Sequence, residues 1–459
     1  MKLVIAPDSS SNDYEVHEQL AKDGIDVLVI DHHEADHISE YACVINNQLC
    51  DYPTKSLSGV GMVYKFCSYI DSLLNVDYAN DYLDLVALGL IADMMDLRDF
   101  ETRHLITLGI EQIRNPYFKG MTVKNAFSLG DKITPFGVAF YIAPYINAVT
   151  RCGTQDEKLI LFESMLDHKA YEMIASTKRG CKGQQETRVE QACRNCTNIK
   201  NRQGKARDAS LELIEKIIKE QHLLDNKLII VKLESKYFID RNLTGLVATK
   251  IANEYQRPTL ILNESKTEDG KLIWEGSGRN CNQSEFENFR MFLEDSCYVE
   301  YAEGHEGAFG VGILDEDLPQ LIHYANTILA NYDFTPKYYV DFEYDSITLT
   351  GDDILNIADC DWLWGQCIEE PYILVKNLKL TANNLSLLKG TTIKIALNDE
   401  INMIKFKCSQ EEFDQLYSEL GCVTINVIGR FQKNSWCGRE TPQILIEDYE
   451  IINKEDYYF

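Results

Sequence analysis

The chain has 459 residues, with 45 Lys and Arg against 72 Asp and Glu, a formal net charge of −27 at pH 7. Hydrophobic residues make up 45% and charged residues 25%, the composition of a globular chain and not of a disordered one. The length exceeds what one core fills and predicts roughly two to four domains, and no apolar run reaches the ~18 residues that would cross a membrane. The opening MKLVIAPDSS has neither the charged nor the apolar region of a secretory signal, and the 14 cysteines are scattered singly. Both features read as a cytoplasmic protein with reduced thiols.

Such a charge argues against nucleic acid, because phosphate binding rests on Lys and Arg. The sum hides an asymmetry. Between Lys178 and Arg207 stand nine basic residues and two acidic ones, a local charge of +7 that leaves −34 on the rest.

In chain order, residues 2–8 (KLVIAPD) form an apolar run broken by Pro7, and Asn12 or Asp13 caps a predicted helix that stops at Gly24. Residues 25–30 (IDVLVI) make a second strand, closing on Asp31-His32-His33. Helical patterns follow over 56–74 and 81–97. This β-α-β-α order implies a parallel sheet covered by helices. Residues 155 to 225 read as mostly helical, with interruptions at Gly180, Gly183 and Gly204. From 226 the alternation resumes, with strands at 227–233 and 258–265 around a helix at 243–255. The last part switches to short alternating strands near 372–380, 391–397, 403–408, 423–431 and 442–451, the pattern of a small barrel.

Asp31-His32-His33 lies at the C-terminal end of a predicted parallel strand, where open α/β sheets bind their ligands. Asp8 ends the preceding strand in the same way, and Asp93 follows the apolar ALGLIA. Carboxylates and imidazoles gathered from adjacent strand ends suit a divalent ion such as Mn²⁺ or Mg²⁺.

The succession IAPDSS, VLVIDHHEAD, LSGVGMVYKF, ALGLIADMMDL and IAPYINAVTRCG, then WEGSGR (274–279), EGHEGAFGVGI (303–313) and a terminal VIGRFQKNSWCGRETPQILIEDYEI, resembles the DHH phosphoesterase superfamily, and within it the RecJ single-stranded-DNA exonucleases. The resemblance runs over essentially the whole chain. It implies an α/β fold in four parts: a parallel-sheet DHH phosphoesterase domain (1–175), a basic helical connector (176–224), a smaller α/β DHH-associated domain (225–335) and a C-terminal OB-like β-barrel (336–459). It implies Asp8, His32 and Asp93 as ligands of a two-metal Mn²⁺ or Mg²⁺ site. His33 would touch metal or scissile phosphate, and Asp31 would orient the imidazoles. Asn147 and Arg151 match a DNA-contacting segment in which Tyr145 replaces an arginine. Ser277 and Arg279 match a phosphate-gripping pair, and Gly304, His305, Ala308 and Gly310 match a glycine-rich substrate motif whose first glycine is here Glu303.

The implied function is 5′-to-3′ hydrolysis of single-stranded DNA in repair and recombination, with Lys200, Arg202 and Lys205 of the connector along the strand's path. Alternatives are a phosphodiesterase of short RNA or cyclic dinucleotides, and a non-catalytic binding module. The family's first motif, His-x-Asp-x-Asp-Gly, has no counterpart, so the chain reads as truncated at its N-terminus, with a separate polypeptide as one source of the missing strand. Cys193-x-x-Cys196 has the spacing of half a zinc site but no second pair. Trp436, in a predicted loop, is the better base-stacking candidate, and Phe431 a further one, while Trp362 and Trp364 read as packing residues.

Overall fold

The computed structural model describes residues 2–130, 132–237, 239–436 and 439–455. The chain divides into two compact units, one of residues 1–147, 156–194 and 340–459, the other of residues 148–155 and 195–339.

The first unit opens with β1 (Lys2–Pro7), α1 (Tyr14–Lys22), β2 (Ile25–Asp31) and β3 (Cys43–Asn46), whose strands form a parallel sheet in the order β1-β2-β3. Asp13 precedes α1 and Gly24, at φ 70°, ends its turn, as the sequence predicts. The short β3 was not signalled. Its four residues carry too little alternation to stand out, and pairing with β2 in register Leu28↔Cys43 to Asp31↔Asn46 defines it. Val27, Val29 and Ile30 are buried, whereas Leu3, Val4 and Ile5 of β1 are 55%, 40% and 54% exposed. β1 is thus an edge strand with apolar side chains open to solvent.

Helices α2 (Gly59–Leu74) and α3 (Leu83–Ala92) follow. The second is shorter than its apolar pattern because Asp93 caps its C-terminus and Met94 turns left-handed at φ 57°. A helical layer then comprises α4 (Phe100–Glu111), α5 (Pro116–Lys124), α6 (Ala126–Leu129), α7 (Pro135–Tyr141), α8 (Ala143–Cys152), α9 (Gln155–Ser164) and α10 (Asp167–Ala170). Tyr117, Phe118, Met121, Val138 and Ile142 are fully buried within it. A small antiparallel pair, β4 (Met173–Ala175) and β5 (Gln185–Thr187), brackets a turn in which Gly180 and Gly183 take φ 83° and 86°, so these two glycines do interrupt the helical run.

Gly204 does not. It lies inside α11 (Arg188–Glu220), a continuous helix of 33 residues. A single glycine costs a helix only ~1 kcal/mol, which the buried stripe Ile199, Leu211, Ile214, Ile217 and Ile218 outweighs.

The second unit contains β6 (Ile229–Leu233), α12 (Arg241–Tyr255), β7 (Thr259–Lys266), β8 (Leu272–Arg279), α13 (Phe289–Ser296), β9 (Tyr301–His305), β10 (Ala308–Leu314) and α14 (Leu318–Ile328). Its sheet runs β6-β7-β8-β10-β9. One face packs Leu260, Leu262, Trp274, Phe309, Val311 and Ile313 against α13 and α14. On the other, α12 and the C-terminal turns of α11 bury Ile229, Val231 and Ile261.

The remainder of the first unit is a seven-stranded sheet of β11 (Phe342–Asp345), β12 (Ile373–Leu380), β13 (Leu385–Leu388), β14 (Thr392–Ala396), β15 (Asn402–Phe406), β16 (Cys422–Trp436) and β17 (Arg439–Glu455), in the order β11-β12-β16-β17-β15-β14-β13. It is accompanied by α15 (Gly351–Ala358) and α16 (Gln410–Leu416). Alternating positions such as Val423, Ile425 and Val427 point into one core. Phe431 belongs to that core at 2% exposure, so it packs and does not offer a stacking face. Trp362 is half-exposed, not packed as its apolar bulk suggests. No helix among the described residues is long and apolar enough to cross a membrane.

Candidate metal centre and nucleic-acid-binding face

Asp8 follows β1 and Asp31 ends β2, so parallel pairing brings both carboxylates to one sheet edge. The Asp8 amide donates to the Ile30 carbonyl (2.9 Å), and its backbone turns left-handed at φ 59°. That conformation is uncommon for a residue with a Cβ, and Asp tolerates it better than most. It sends the carboxylate towards the first residue of α2, where Gly59 has no side chain. A Cβ there would lie 2.2 Å from Asp8 Oδ1 and 2.5 Å from Asp8 Cβ.

His32 Nε2 lies 3.2 Å from Asp8 Oδ1 and 3.4 Å from Asp93 Oδ2. Asp93 reaches this point from the end of α3. One ligand atom from each of Asp8, Asp31, His32 and His33 falls within a 4.8 Å cluster. Carboxylate oxygens and imidazole nitrogens so close together, without a lysine or arginine among them, suit a hard divalent cation.

Asp31 plays a different part from Asp8. It is 1% exposed and accepts from the backbone amides of Ser11 (3.2 Å), His32 (2.8 Å) and His33 (3.4 Å). His33 Nδ1 is 2.7 Å from its Oδ1. Burial works to raise the Asp31 pKa, but hydrogen bonds from Ser11, His33 and the two backbone amides outweigh it and hold the carboxyl down at about 2. The bond to Asp31 raises His33 above its ordinary value, against burial. With Nδ1 turned to Asp31, His33 presents Nε2 outward, the arrangement by which a carboxylate fixes a metal-facing imidazole. Burial raises the Asp93 carboxyl, the nearby His32 lowers it and Asp8 raises it further.

Three contributors lay outside the sequence-derived set. Ser11 supports Asp31, and Asn46 donates to Ser11 Oγ (2.9 Å) and to the His33 carbonyl (2.8 Å), bracing the loop after β2 from β3. Gly59 provides the space for Asp8. Only Gly59 had a signal, since it is the third residue of the motif segment LSGVGMVYKF.

In the second unit, Ser277 and Arg279 stand on β8, Gly304 and His305 on β9. Ser277 Oγ pairs with Thr244 Oγ1 of α12 at 2.8 Å. Arg279 packs over Gly245, where a Cβ would come within 2.4 Å of the guanidinium, and donates to the Gly278 carbonyl (2.6 Å). Burial lowers the Arg279 pKa, and Arg151 of α8 lowers it further. Burial likewise lowers Lys200, followed by Arg207 and Arg151. Like charges brought together and partly desolvated are costly, and an anion relieves that cost.

Arg202 donates to the Cys152 carbonyl (3.0 Å), and Lys205 is exposed. Asn147 lies one turn before Arg151 on α8, in the first unit. Part of the basic window is consumed internally: Arg188 pairs with Glu163 (2.8 Å) and Glu172 (2.6 Å), Arg194 with Glu186, and Arg207 with Asp208 (2.7 Å). The side chain of Trp436 lies outside the described residues. Cys193 and Cys196 are buried on α11, and among the described residues the one metal-compatible cluster is that of Asp8, Asp31, His32 and His33.

Residues 2–90 match the family model of the DHH family, N-terminal domain, and residues 345–448 match the RecJ OB domain. The fold and the site thus define a DHH-type protein with an appended OB domain. The chain is 37% identical over 460 residues to YorK of the SPbeta prophage in Bacillus subtilis (strain 168), provisionally named a single-strand DNA-specific exonuclease, covering 98% of this chain and 78% of that protein. It is 28% identical to the single-stranded-DNA-specific exonuclease RecJ of the same bacterium, over 94% of this chain and 52% of that one. Among solved structures, RecJ from Thermus thermophilus in complex with Mn²⁺ superimposes with a TM-score of 0.71 at 18% identity, over 98% of this chain and 62% of that one. The chain belongs to the RecJ family of DHH single-stranded-DNA-specific exonucleases.

Proposed function

We propose that this chain carries the metal-binding core of a 5′-to-3′ exonuclease that hydrolyses phosphodiester bonds of single-stranded DNA in repair or recombination, in the reducing cytosol. The observation that carries the reading is the 4.8 Å cluster of Asp8, Asp31, His32 and His33 at the ends of two parallel strands. Asp8, His32 and Asp93 are the ligands in this reading, and Mn²⁺ or Mg²⁺ the ion. A bound divalent ion supplies an activated water and stabilises the leaving oxygen. The protein's own part is to orient. Asp31 keeps the His33 ring fixed, and Gly59 lets the Asp8 carboxylate sit at the cluster. The partly desolvated Arg279, with Ser277, Arg151 and Lys200, grips phosphates of the strand, as do Asn147, Arg202, Lys205, Gly304 and His305, while Trp436 is the residue for stacking on a base.

The exposed apolar edge of β1 further supports a parallel strand added there by a separate polypeptide. Its C-terminal end would lie next to Asp8 and offer further carboxylates to the site. Edge strands that leave Leu3, Val4 and Ile5 in water are templates for pairing. In the isolated chain the outward-facing β1 amides are expected to exchange rapidly with solvent. Slow exchange at every β1 amide would overturn the open edge.

The enzymatic reading is tested by incubating the purified chain with 5′-phosphorylated single-stranded DNA and Mn²⁺. Mononucleotide release lost in His32→Ala and on chelation is expected. Release that persists unchanged in His32→Ala would remove the assignment.

A further inference from the structure

On the face of the second unit's sheet that α11 and α12 cover over β6 and β7, α12 also reaches β8, where Thr244 and Gly245 meet Ser277 and Arg279, and β10 and β9 lie beyond it. Three rungs cross this face. Arg279, Ala308 and His305 make the first, Ser277, Gly310 and Glu303 the second, and Glu275, Gly312 and Tyr301 the third. The middle strand supplies only Ala and Gly, so it is a floor between two polar walls. A Cβ on Gly310 would meet nothing nearer than the Glu303 carbonyl at 3.8 Å. The third rung is closed, because the Tyr301 ring lies over Gly312, 2.2 Å from where its Cβ would be.

The charges along this floor are segregated. Arg279 and His305 hold the first rung, with Arg151 close enough to Arg279 to lower its pKa after burial does. Carboxylates hold the other end. Glu275 is engaged by Tyr301 Oη (3.2 Å) and Arg241 (3.4 Å). Glu303 is exposed and has no hydrogen-bond or ion-pair partner among the described residues. It stands two strand spacings, about 10 Å, from Ser277, and one rung, about 7 Å, further along than Arg279.

An acceptor-only carboxylate repels phosphate and attracts donors. A strand whose phosphate sits at Arg279 therefore has to turn a base, not its backbone, towards Glu303. We propose that Glu303 is a specificity-determining residue that reads this base, on the premise that the face binds single-stranded nucleic acid as argued above. Guanine offers a carboxylate two adjacent donors, N1–H and the N2 amino group. Adenine and cytosine each offer one amino group. Thymine offers one N–H flanked by two carbonyl oxygens. The favoured base is guanine and the disfavoured base thymine. A good bidentate pair separates them by about tenfold in affinity.

The test measures binding of the full chain, in chelator so that nothing is hydrolysed, to 5′-phosphorylated oligonucleotides that carry guanine or thymine at one position in turn. One position is expected to favour guanine about tenfold. In Glu303→Gly the ratio at that position falls to near one, while the thymine oligonucleotide binds more tightly because a repulsion is gone. Glu303→Gln keeps one acceptor and is expected to retain an intermediate preference. Equal binding of both bases at every position, or a ratio unchanged in Glu303→Gly, overturns the inference. A uniform gain for all oligonucleotides in Glu303→Gly also overturns it, leaving Glu303 as a mere repulsive charge. Arg279→Ala separates this failure from failure of the premise. Loss of binding to all sequences in that variant upholds the nucleic-acid face whatever Glu303 does, whereas no binding by the unaltered chain removes both readings.

Discussion

Asp8 and Asp31 end neighbouring strands and are chemically identical, yet their surroundings separate them. Asp31 is walled in, saturated with donors and held at about 2, whereas Asp8 is open to the site and supported by a missing side chain. Gly59 is therefore the sharper probe of the metal centre. In Gly59→Ala the new methyl and the Asp8 side chain cannot coexist, so Mn²⁺-dependent nucleotide release is expected to fall about 10–100-fold, the usual loss when a ligand's support is removed. Unchanged release in a titration of Mn²⁺ would show that Asp8 is not a ligand. Away from the site, Glu186 is held at about 2, first by the Arg194 guanidinium and against the effect of burial. A depressed carboxyl stabilises the fold above its unfolded value of 4.5 and stops doing so as the pH falls through 4.5 towards 2. Partial exposure screens the pair, so Glu186→Gln is expected to cost about 1 kcal/mol at pH 7. Denaturant melts at a series of pH values should show that deficit shrinking below pH 4.5. A deficit independent of pH would assign it to packing.

Among the elements, α11 shows how far local propensity can mislead. Its glycine at 204 predicted a break, but nothing lies within 4 Å of the position a Cβ would take there, and the apolar stripe on the buried face carries the helix through. Gly204→Ala is accordingly expected to stabilise the chain by about 0.5–1 kcal/mol, read as a rise in the urea midpoint. A fall would mean that the helix interior is strained at this point. The strands that were legible were those with strong alternation or long apolar runs, such as residues 25–30 and 423–431. The short β3 and the β4–β5 pair depend on partners distant in sequence, and periodicity over three or four residues carries no such information. At the site, the residues legible beforehand were those of unusual type in unusual places, a His-His pair and aspartates after apolar runs. Ser11 and Asn46 were not legible, because bracing a loop is a property of three-dimensional proximity and both residue types are common in turns.

For the molecule as a whole, the charge of −27 is no measure of its affinity for DNA. Several cations of the basic window are neutralised by internal acids, while Lys200, Arg151 and Arg279 are kept close together at the expense of hydration. Reversing Lys200, Arg202 and Lys205 to Glu is expected to weaken single-strand binding. It should also flatten the dependence of log K on log salt by up to about 2, at ~0.7 for each phosphate no longer neutralised. An unchanged slope would mean that these side chains never meet phosphate. Because the rest of the surface is acidic, the same measurement on double-stranded DNA should give weak binding at every salt concentration.

The left-handed backbone at Asp8 has an evolutionary corollary. Glycine is at ease where Asp8 sits, at φ 59°, and Asp8→Gly is expected to be as stable as the present chain or up to ~1 kcal/mol more so, while losing all metal-dependent turnover. A library selected for thermal tolerance alone would therefore drift towards glycine at position 8. Persistence of aspartate there under such selection would show that the carboxylate is tied into the fold itself, so the position separates what the chain keeps for work from what it keeps for shape.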